Sequence, residues 1–376
     1  MKLILLFIIL TSFTTQALPP PPPAPFELLF NTEKKPVTSK ITISFTGDLL
    51  VHQDLYKEVI NRKKQDFSVL WTKITPLLNQ ADFSQVNLEG PAALGIDNKL
   101  KDRGDIGFVY DGEVYSGTNF LFNFHPQIIE AIKNTGFDFI TTSNNHTFDR
   151  GAIGVDKTID ALNEKKMPFA GTRKKGNTDP FYKITDVKDF KVAWISCSEM
   201  LNGFKDKFSQ TLLCYDQATE ITDLIKKVKS QKLADIIIVI PHWGVEYDHE
   251  PAAAQKKHAR LFAEAGADAI IGSHPHVLQP AEKLITKDNR EVFVVYSLGN
   301  FLAYQKDIDR KTSAIIYLEF SQSTTLEINT GFPVKSTWIS NYRYQPTVRS
   351  SYDIFPAAKI PEVVTHAEKY LGKFKP

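Results

Sequence analysis

A chain of 376 residues with 42% hydrophobic side chains can bury one large core, or a core with an appendage. Its 45 basic and 43 acidic residues leave a formal net charge of +2, which carries no electrostatic signature of nucleic-acid binding and sets nucleic acid aside as a partner. The only two cysteines, Cys197 and Cys214, exclude a thiolate metal cluster, so any metal is held by nitrogen and oxygen.

Met1-Lys2 and the apolar run from Leu3 to Leu10 fall well short of the ~20 residues that span a bilayer. Followed by the small-residue pattern Thr15-Gln16-Ala17, they read as a signal peptide over residues 1–17, with an uncleaved membrane anchor as the alternative. No cysteine follows where lipid attachment would require one. The expectation is export, to a periplasmic or extracellular location, where Cys197 and Cys214 could form a disulfide if their Cα atoms come within about 4.4 to 6.8 Å. Pro19 to Pro23 and Pro25 lack an N–H and fix φ, which makes residues 18–40 a stiff linker.

From Ile41 to Thr46 apolar and polar side chains alternate, and the run ends in Gly47-Asp48, the pattern of a strand entering a polar turn. The pattern recurs. Phe83 to Leu88 leads to Glu89, Phe137 to Thr142 to Asn145-His146, Asp235 to Ile240 to His242, and Ala269 to Ile271 to His274-Pro275-His276. Between these strands lie helical stretches. After His125-Pro126, Ile128, Ile129 and Ile132 share one face and Gly136 suits a left-handed stop. In Ala252 to Gly266, the residues His258, Leu261, Phe262 and Ala265 keep helical spacing. Strand and helix alternate, so the fold class is α/β, and ligands are expected beyond the carboxyl ends of the strands. After Phe301 the alternation runs on without long helices (Thr312 to Phe320, Ser323 to Asn329, Lys335 to Arg343). The expected organisation is a core over residues 41–305 and a β-rich extension over 306–376 that completes a second sheet.

The polar residues at these strand ends form one chemical set. Asp48 and Glu89 are carboxyl ligands, Asn145 is a neutral oxygen ligand, and His242, His274 and His276 are imidazoles. Two cations ~3.5 to 4 Å apart, held by such a mixture, clamp the attacking and leaving oxygens of phosphoryl transfer. Singly, each residue has an ordinary explanation as a helix cap or a hydrogen-bonded structural histidine. Five strand ends that all present ligand types make the metal reading the stronger one.

The ordered motifs Gly47-Asp48, Asn87-Leu88-Glu89-Gly90-Pro91, Asn144-Asn145-His146 with Asp149, His242-Trp243-Gly244-Val245-Glu246-Tyr247, Gly272-Ser273-His274-Pro275-His276 and Ser297-Leu298-Gly299-Asn300-Phe301 resemble the CapA family of bacterial capsule (poly-γ-glutamate) synthesis proteins. That family is similar to the calcineurin-like metallophosphoesterases. The resemblance implies a four-layer α-β-β-α sandwich and one or two divalent metal ions of the Mn, Zn or Fe class. It also implies an anionic cell-envelope polymer or its phosphorylated precursor as partner, alongside capsule-synthesis machinery. By position, Asp48 and His276 would hold one metal, Asn145, His242 and His274 the other, and Glu89 would bridge them. His146 would serve as proton donor, with Asp149 beside it. Asn87, Glu246, Tyr247 and Asn300 would orient the ligands or meet the substrate.

Two departures from the wider superfamily stand out: Leu50 occupies the place of a first-motif histidine, and Glu89 that of an aspartate. His52 could replace the missing ligand or merely begin the next helix. The long segment 91–124 reads as a lid or a solvated insertion, and Arg173-Lys174-Lys175 as an anion contact or an exposed charge run. The activity implied is phosphoester hydrolysis. The alternatives are polymer binding without catalysis and metal-assisted γ-glutamyl amide hydrolysis.

Overall fold

Ile41, Ile43 and Phe45 are fully buried, and the first strand is covered on both faces from Ile43 onward, as a central strand must be. The computed structural model describes residues 27–30, 36–62, 64–118, 121–326 and 333–375; the leader and the proline run lie outside these. In chain order the strands are β1 (Ser39–Leu49), β2 (Phe83–Leu88), β3 (Phe139–Thr141), β4 (Phe169–Ala170), β5 (Tyr182–Val187), β6 (Phe190–Ser198) and β7 (Ile236–His242). They continue as β8 (Ala269–Ile271), β9 (Leu278–Ile285), β10 (Glu291–Leu298), β11 (Thr312–Leu326), β12 (Pro333–Ser350) and β13 (Asp353–Pro356). The helices are α1 (Gln53–Asn61), α2 (Thr75–Leu78), α3 (Gln127–Asn134), α4 (Gly151–Glu164), α5 (Ala218–Ser230), α6 (Ala253–Ala265), α7 (Ile308–Lys311) and α8 (Pro361–Leu371).

Two sheets result, ordered β13-β12-β11-β1-β2-β3-β4 and β5-β6-β7-β8-β10-β9. Within the first, β1 to β4 run parallel; within the second, β6, β7, β8 and β10 do. Three apolar layers separate them from one another and from the helices. Ile43, Phe45, Trp194, Ile238, Phe293 and Ile316 fill the space between the sheets. Leu55, Val59, Ile128 and Ile132 of α1 and α3 cover Val86 and Ile140 on the first sheet, while Ile221, Ile225 and Phe262 of α5 and α6 cover Ile195 and Val239 on the second. The four-layer α/β architecture read from the sequence is the one observed.

Two expectations are corrected. The C-terminal strands do not complete the second sheet: β11 pairs antiparallel with β1, from Ser39 opposite Gln322 to Phe45 opposite Ile316, and so extends the first sheet. Alternation identifies a strand but not the edge that receives it; here the open edge of β1 does, and Ile316, Leu318 and Phe320 enter the core between the sheets. The helical spacing read over residues 252–266 is α6, in which His258, Phe262 and Ala265 are buried and Leu261 is 39% exposed. The linker is not wholly a spacer, because Phe30 packs 6.2 Å from Phe293 and Lys283 Nζ donates to Leu29 O.

Trp194 is the pivot between the sheets, with Phe139 stacked at 4.5 Å, Phe83 at 5.5 Å and its indole N–H donating to Thr185 Oγ1 at 2.8 Å. Trp194→Ala removes a fully buried side chain and should cost about 3–5 kcal/mol in urea unfolding.

Candidate metal centre

The carboxyl ends of β1, β2, β3, β7 and β8 meet at one seam between the sheets. Glycine makes that approach close enough: a Cβ on Gly47 would lie 1.9 Å from Gly299 O. A register shift between Phe45 and Asp48 turns Asp48 toward the seam, where its N–H donates to Gly299 O (3.0 Å) and its carbonyl accepts from Leu302 N (2.9 Å). With the backbone fixed, Asp48 Oδ1 accepts from Asn87 Nδ2 at 2.7 Å and Oδ2 from the His274 N–H at 3.0 Å. Burial alone would raise this carboxyl, but His276, His242 and Asn87 hold it well below the usual carboxylate range.

Two overlapping clusters form around Glu89. Asp48, Glu89 and His276 each bring one ligand atom to within 4.8 Å of the others, and so do Glu89, His242 and His274; all five residues are buried. His276 Nδ1 lies 3.5 Å from Asp48 Oδ2, and Glu89 Oε1 stands 3.5 Å from His242 Nε2 and 3.8 Å from His276 Nε2. Asn145 joins the second cluster, with Oδ1 2.9 Å from His242 Nε2 and His274 Nδ1 3.1 Å from that same nitrogen. The six residues expected to ligate metal are thus together, arranged in two groups that share Glu89.

Both Glu89 oxygens are buried and neither has a hydrogen-bond partner. A buried carboxyl normally secures donors, because leaving one unsatisfied costs ~1–3 kcal/mol or more. Unpaired oxygens facing imidazole nitrogens suit a cation, and the nitrogen and oxygen donor set suits a divalent ion of the Zn, Mn or Fe kind.

His274 (φ 101°) and His276 (φ 59°) both adopt left-handed backbone on either side of Pro275, a conformation uncommon for side-chain-bearing residues. The turn persists because the His274 N–H is tied to Asp48 and Pro275 O accepts from the Tyr247 N–H at 2.8 Å. It sends two imidazoles to different clusters. Burial, together with His242 and His276, pushes His274 well below its ordinary value; burial opposes charge on His276 as well, yet Glu89 and Asp48 raise it to about 9.

His146 Nδ1 contacts Asp149 Oδ2 at 2.7 Å, and both side chains are buried. Burial disfavours the imidazolium, but Asp149 outweighs it and raises the His146 value. The segment 91–124 builds this pair's surroundings. Phe122 donates its N–H to Asp149 Oδ2 (2.8 Å) and sets its ring edge-on to His146 at 4.7 Å. The fully buried Arg150, lowered to about 10 by burial, donates to the carbonyls of Ile96, Leu121, Glu113 and Val114 and locks the segment down. The two ends of this segment, up to Asp97 and from Val114 on, are largely buried and held by Arg150 and the Asn123 side chain, whereas residues 99–113 are mostly exposed, as the solvated-insertion reading expects.

The remaining predicted residues divide. Asn87 bridges Asp48 and His242, with Nδ2 3.3 Å from His242 Nδ1. Of the two roles expected for Asn300, its contacts fit the orienting one: it is buried, Oδ1 lies 2.9 Å from His276 Nδ1, and Nδ2 donates to His276 O, Gln305 Oε1 and Arg310 O. Glu246 brings an oxygen within 4.8 Å of His274 and His276 ligand atoms, and Tyr247, 47% exposed, sets its ring 6.1 Å from His276 at the rim. His52 flanks α1, with Nδ1 near Leu50 O and accepting from Tyr304 N at 3.2 Å; it joins none of the ligand groups among the described residues. Leu50 is buried in the apolar layer under α1. Arg173 donates to Ser209 O and Asp179 O, and Lys174 pairs with Asp160 on α4.

Sequence reasoning missed Asn202, whose Oδ1 accepts from Asn145 Nδ2 (3.3 Å) while Nδ2 sits 3.4 Å from His146 Nδ1. Its clue was the Asn202-Gly203 turn pair, since asparagine tolerates the left-handed φ of 46° seen there. The loop bearing it lies between Cys197 and Cys214, which form a disulfide with Cα atoms 5.1 Å apart. Ser273, whose Oγ lies 3.0 Å from His242 Nδ1, was likewise unforeseen.

The sequence model of the family described as bacterial capsule synthesis protein PGA_cap matches residues 42–305. The chain belongs to this family. It is 28% identical over 296 residues to the Bacillus anthracis capsule biosynthesis protein CapA, covering 76% of this chain and 65% of that protein. It is 25% identical over 295 residues to the Bacillus subtilis PGA biosynthesis protein CapA, covering 76% and 69%. The chain spans about two thirds of the length of these relatives. Among solved structures it is similar to Haemophilus influenzae NAD nucleotidase (15% identity, TM-score 0.47, 84% of this chain and 53% of that one). It is also similar to a putative 5'-nucleotidase from Staphylococcus aureus (18% identity, TM-score 0.42, 88% and 58%).

Partners that orient a metal-binding histidine are worth about 10- to 100-fold in metal affinity. Asn300→Ala should therefore weaken divalent-cation binding by that factor in calorimetric titration, while Tyr247→Phe leaves it within about twofold because the ring lies outside both clusters.

Proposed function

We propose that this family member is an exported, divalent-metal-dependent phosphoesterase-like protein that acts in capsule polymer synthesis or export, on an anionic polymer or its phosphorylated precursor. The observation that carries this reading is Glu89, a buried carboxyl unpaired by hydrogen bonds and shared by two ligand groups, next to the His146–Asp149 pair. When bound, divalent cations supply the Lewis acidity that activates water and offsets charge on phosphoryl oxygens. Asp48, Glu89 and His276 would hold one; Glu89, Asn145, His242 and His274 would hold the other. His146, kept in orientation by Asp149 and Phe122, is set to protonate the leaving oxygen. Family membership and the two CapA relatives support the capsule role. The charged and apolar leader, with the Cys197–Cys214 disulfide, supports export. No helix among the described residues is long and apolar enough to cross a membrane.

A second reading, polymer binding without catalysis, draws on the side held by Asp48 and His276, which has one residue fewer because Leu50 turns into the apolar core. Amide hydrolysis at a γ-glutamyl bond is the third chemistry, separable by its products. Wild type loaded with Mn²⁺ or Zn²⁺ should hydrolyse generic phosphoesters, and His146→Ala should lower kcat by about 10²- to 10⁴-fold with metal content unchanged. Equal inactivity of both proteins with every metal would remove the phosphoesterase reading.

A further inference from the structure

Outside the cleft, three side chains from three elements converge near the C-terminus. His249 lies in the loop after β7, Asp309 on α7 and His366 on α8, and each brings one ligand atom to within 4.8 Å of the others. His249 Nε2 is 3.8 Å from Asp309 Oδ2, His366 Nδ1 is 3.5 Å from Asp309 Oδ1, and the two imidazole centres are 5.5 Å apart. Tyr370 stacks flat on His249 at 4.5 Å and fixes its ring plane.

Proton placement decides what this arrangement is for. His249 Nδ1 sits 2.7 Å from Leu278 O, and a carbonyl only accepts, so Nδ1 carries the hydrogen. In the neutral ring Nε2 then presents a lone pair to a carboxylate, a repulsive pairing that a proton on Nε2 or a cation between them relieves. Metal-binding histidines commonly show this arrangement, one nitrogen donating to a carbonyl and the other turned to the ion. His366 adds a nitrogen that is buried without a hydrogen-bond partner, Nε2, while its Nδ1 faces the same carboxylate. Ligand bonds of about 2.0 to 2.2 Å place neighbouring ligand atoms on a tetrahedral ion roughly 3.3 to 3.6 Å apart, close to the separations seen. Two imidazoles and one carboxylate form a donor set for zinc-class ions, with a fourth position left for water.

We propose that His249, Asp309 and His366 bind one divalent cation of the zinc class, separate from the cleft, that ties α7 and α8 to the loop after β7. That loop carries Glu246 and Tyr247. Arg310, next to Asp309, lies 4.8 Å over the Tyr247 ring and offers its carbonyl to Asn300, which orients His276. An ion here fastens the rim of the cleft from behind. The inference stands on the three residues alone and does not depend on what the cleft binds or catalyses.

The test is zinc stoichiometry by mass spectrometry after equilibration with Zn²⁺ and removal of excess, with folding checked by circular dichroism. Asp309→Asn and His366→Gln should each hold one equivalent fewer than wild type and lose part of its zinc-dependent rise in Tm, whereas a His242→Ala/His274→Ala variant should keep the equivalent that Asp309→Asn loses. Equal zinc content and equal Tm shifts in wild type and Asp309→Asn would overturn the proposal. Anomalous diffraction from zinc-soaked wild-type crystals tests it without any substitution: a peak among His249, Asp309 and His366 supports it, and peaks confined to the cleft, or none, overturn it.

Discussion

A carboxyl group buried at the seam of two sheets, with neither oxygen hydrogen-bonded, is the constraint around which this protein is arranged. Glu89 follows β2, and nothing in the local strand geometry offers it a donor. Such a group is tolerated only if its surroundings favour positive charge. Three imidazoles are supplied from elsewhere in the chain, His242 by β7 and His274 and His276 by the turn after β8, while Asp48 from β1 adds a second carboxylate that sharpens the demand for positive charge. Gly47 against Gly299 brings the sheets near enough for this to happen, and the left-handed His274-Pro275-His276 turn aims two rings in different directions. The fold concentrates polar cost at one place and offsets it with large apolar layers on both sides.

Much of this was legible in the sequence because parallel strands announce themselves twice, by a short β-branched run and by the polar residues that end it. Phe83 to Leu88 and Ala269 to Ile271 coincide with β2 and β8. The motifs also carried the ligand residues, since each sits within a few positions of a strand end. What stayed hidden depended on contacts between distant segments. The edge of β1 that receives β11 cannot be read from alternation, and Asn202 and Ser273 matter only because folding lays them beside Asn145 and His242. Asn300 was placed in the right motif with two tasks left open, orienting a ligand or meeting the substrate. Only its three carbonyl and amide acceptors show that its amide group is committed to holding His276.

The two ends of the long segment between β2 and α3 are held in place without regular structure. Arg150 takes no part in an ion pair there; it distributes its guanidinium among backbone carbonyls that have no strand partners. A guanidinium suits that work because its planar donors point several ways at once. The neighbouring residue, Asp149, is held by the same segment through the Phe122 N–H. Position 149 thus faces the chemistry and position 150 the architecture, and the start of α4 couples the two.

The Cys197–Cys214 bridge gives the site a chemical history. It closes the loop that presents Asn202 to Asn145 and His146, with Ser198 and Glu199 directly after Cys197 and Glu199 Oε2 accepting from the Gly244 N–H at 2.7 Å. The loop therefore reaches both the proton-donor side of the cleft and the turn after β7. Thiol oxidation is an event of the compartment in which a chain folds, not of the cleft itself. In a reducing environment the chain would lack the covalent closure behind Asn202, so the redox state of this one pair bears on how firmly that loop is held against Asn145 and His146.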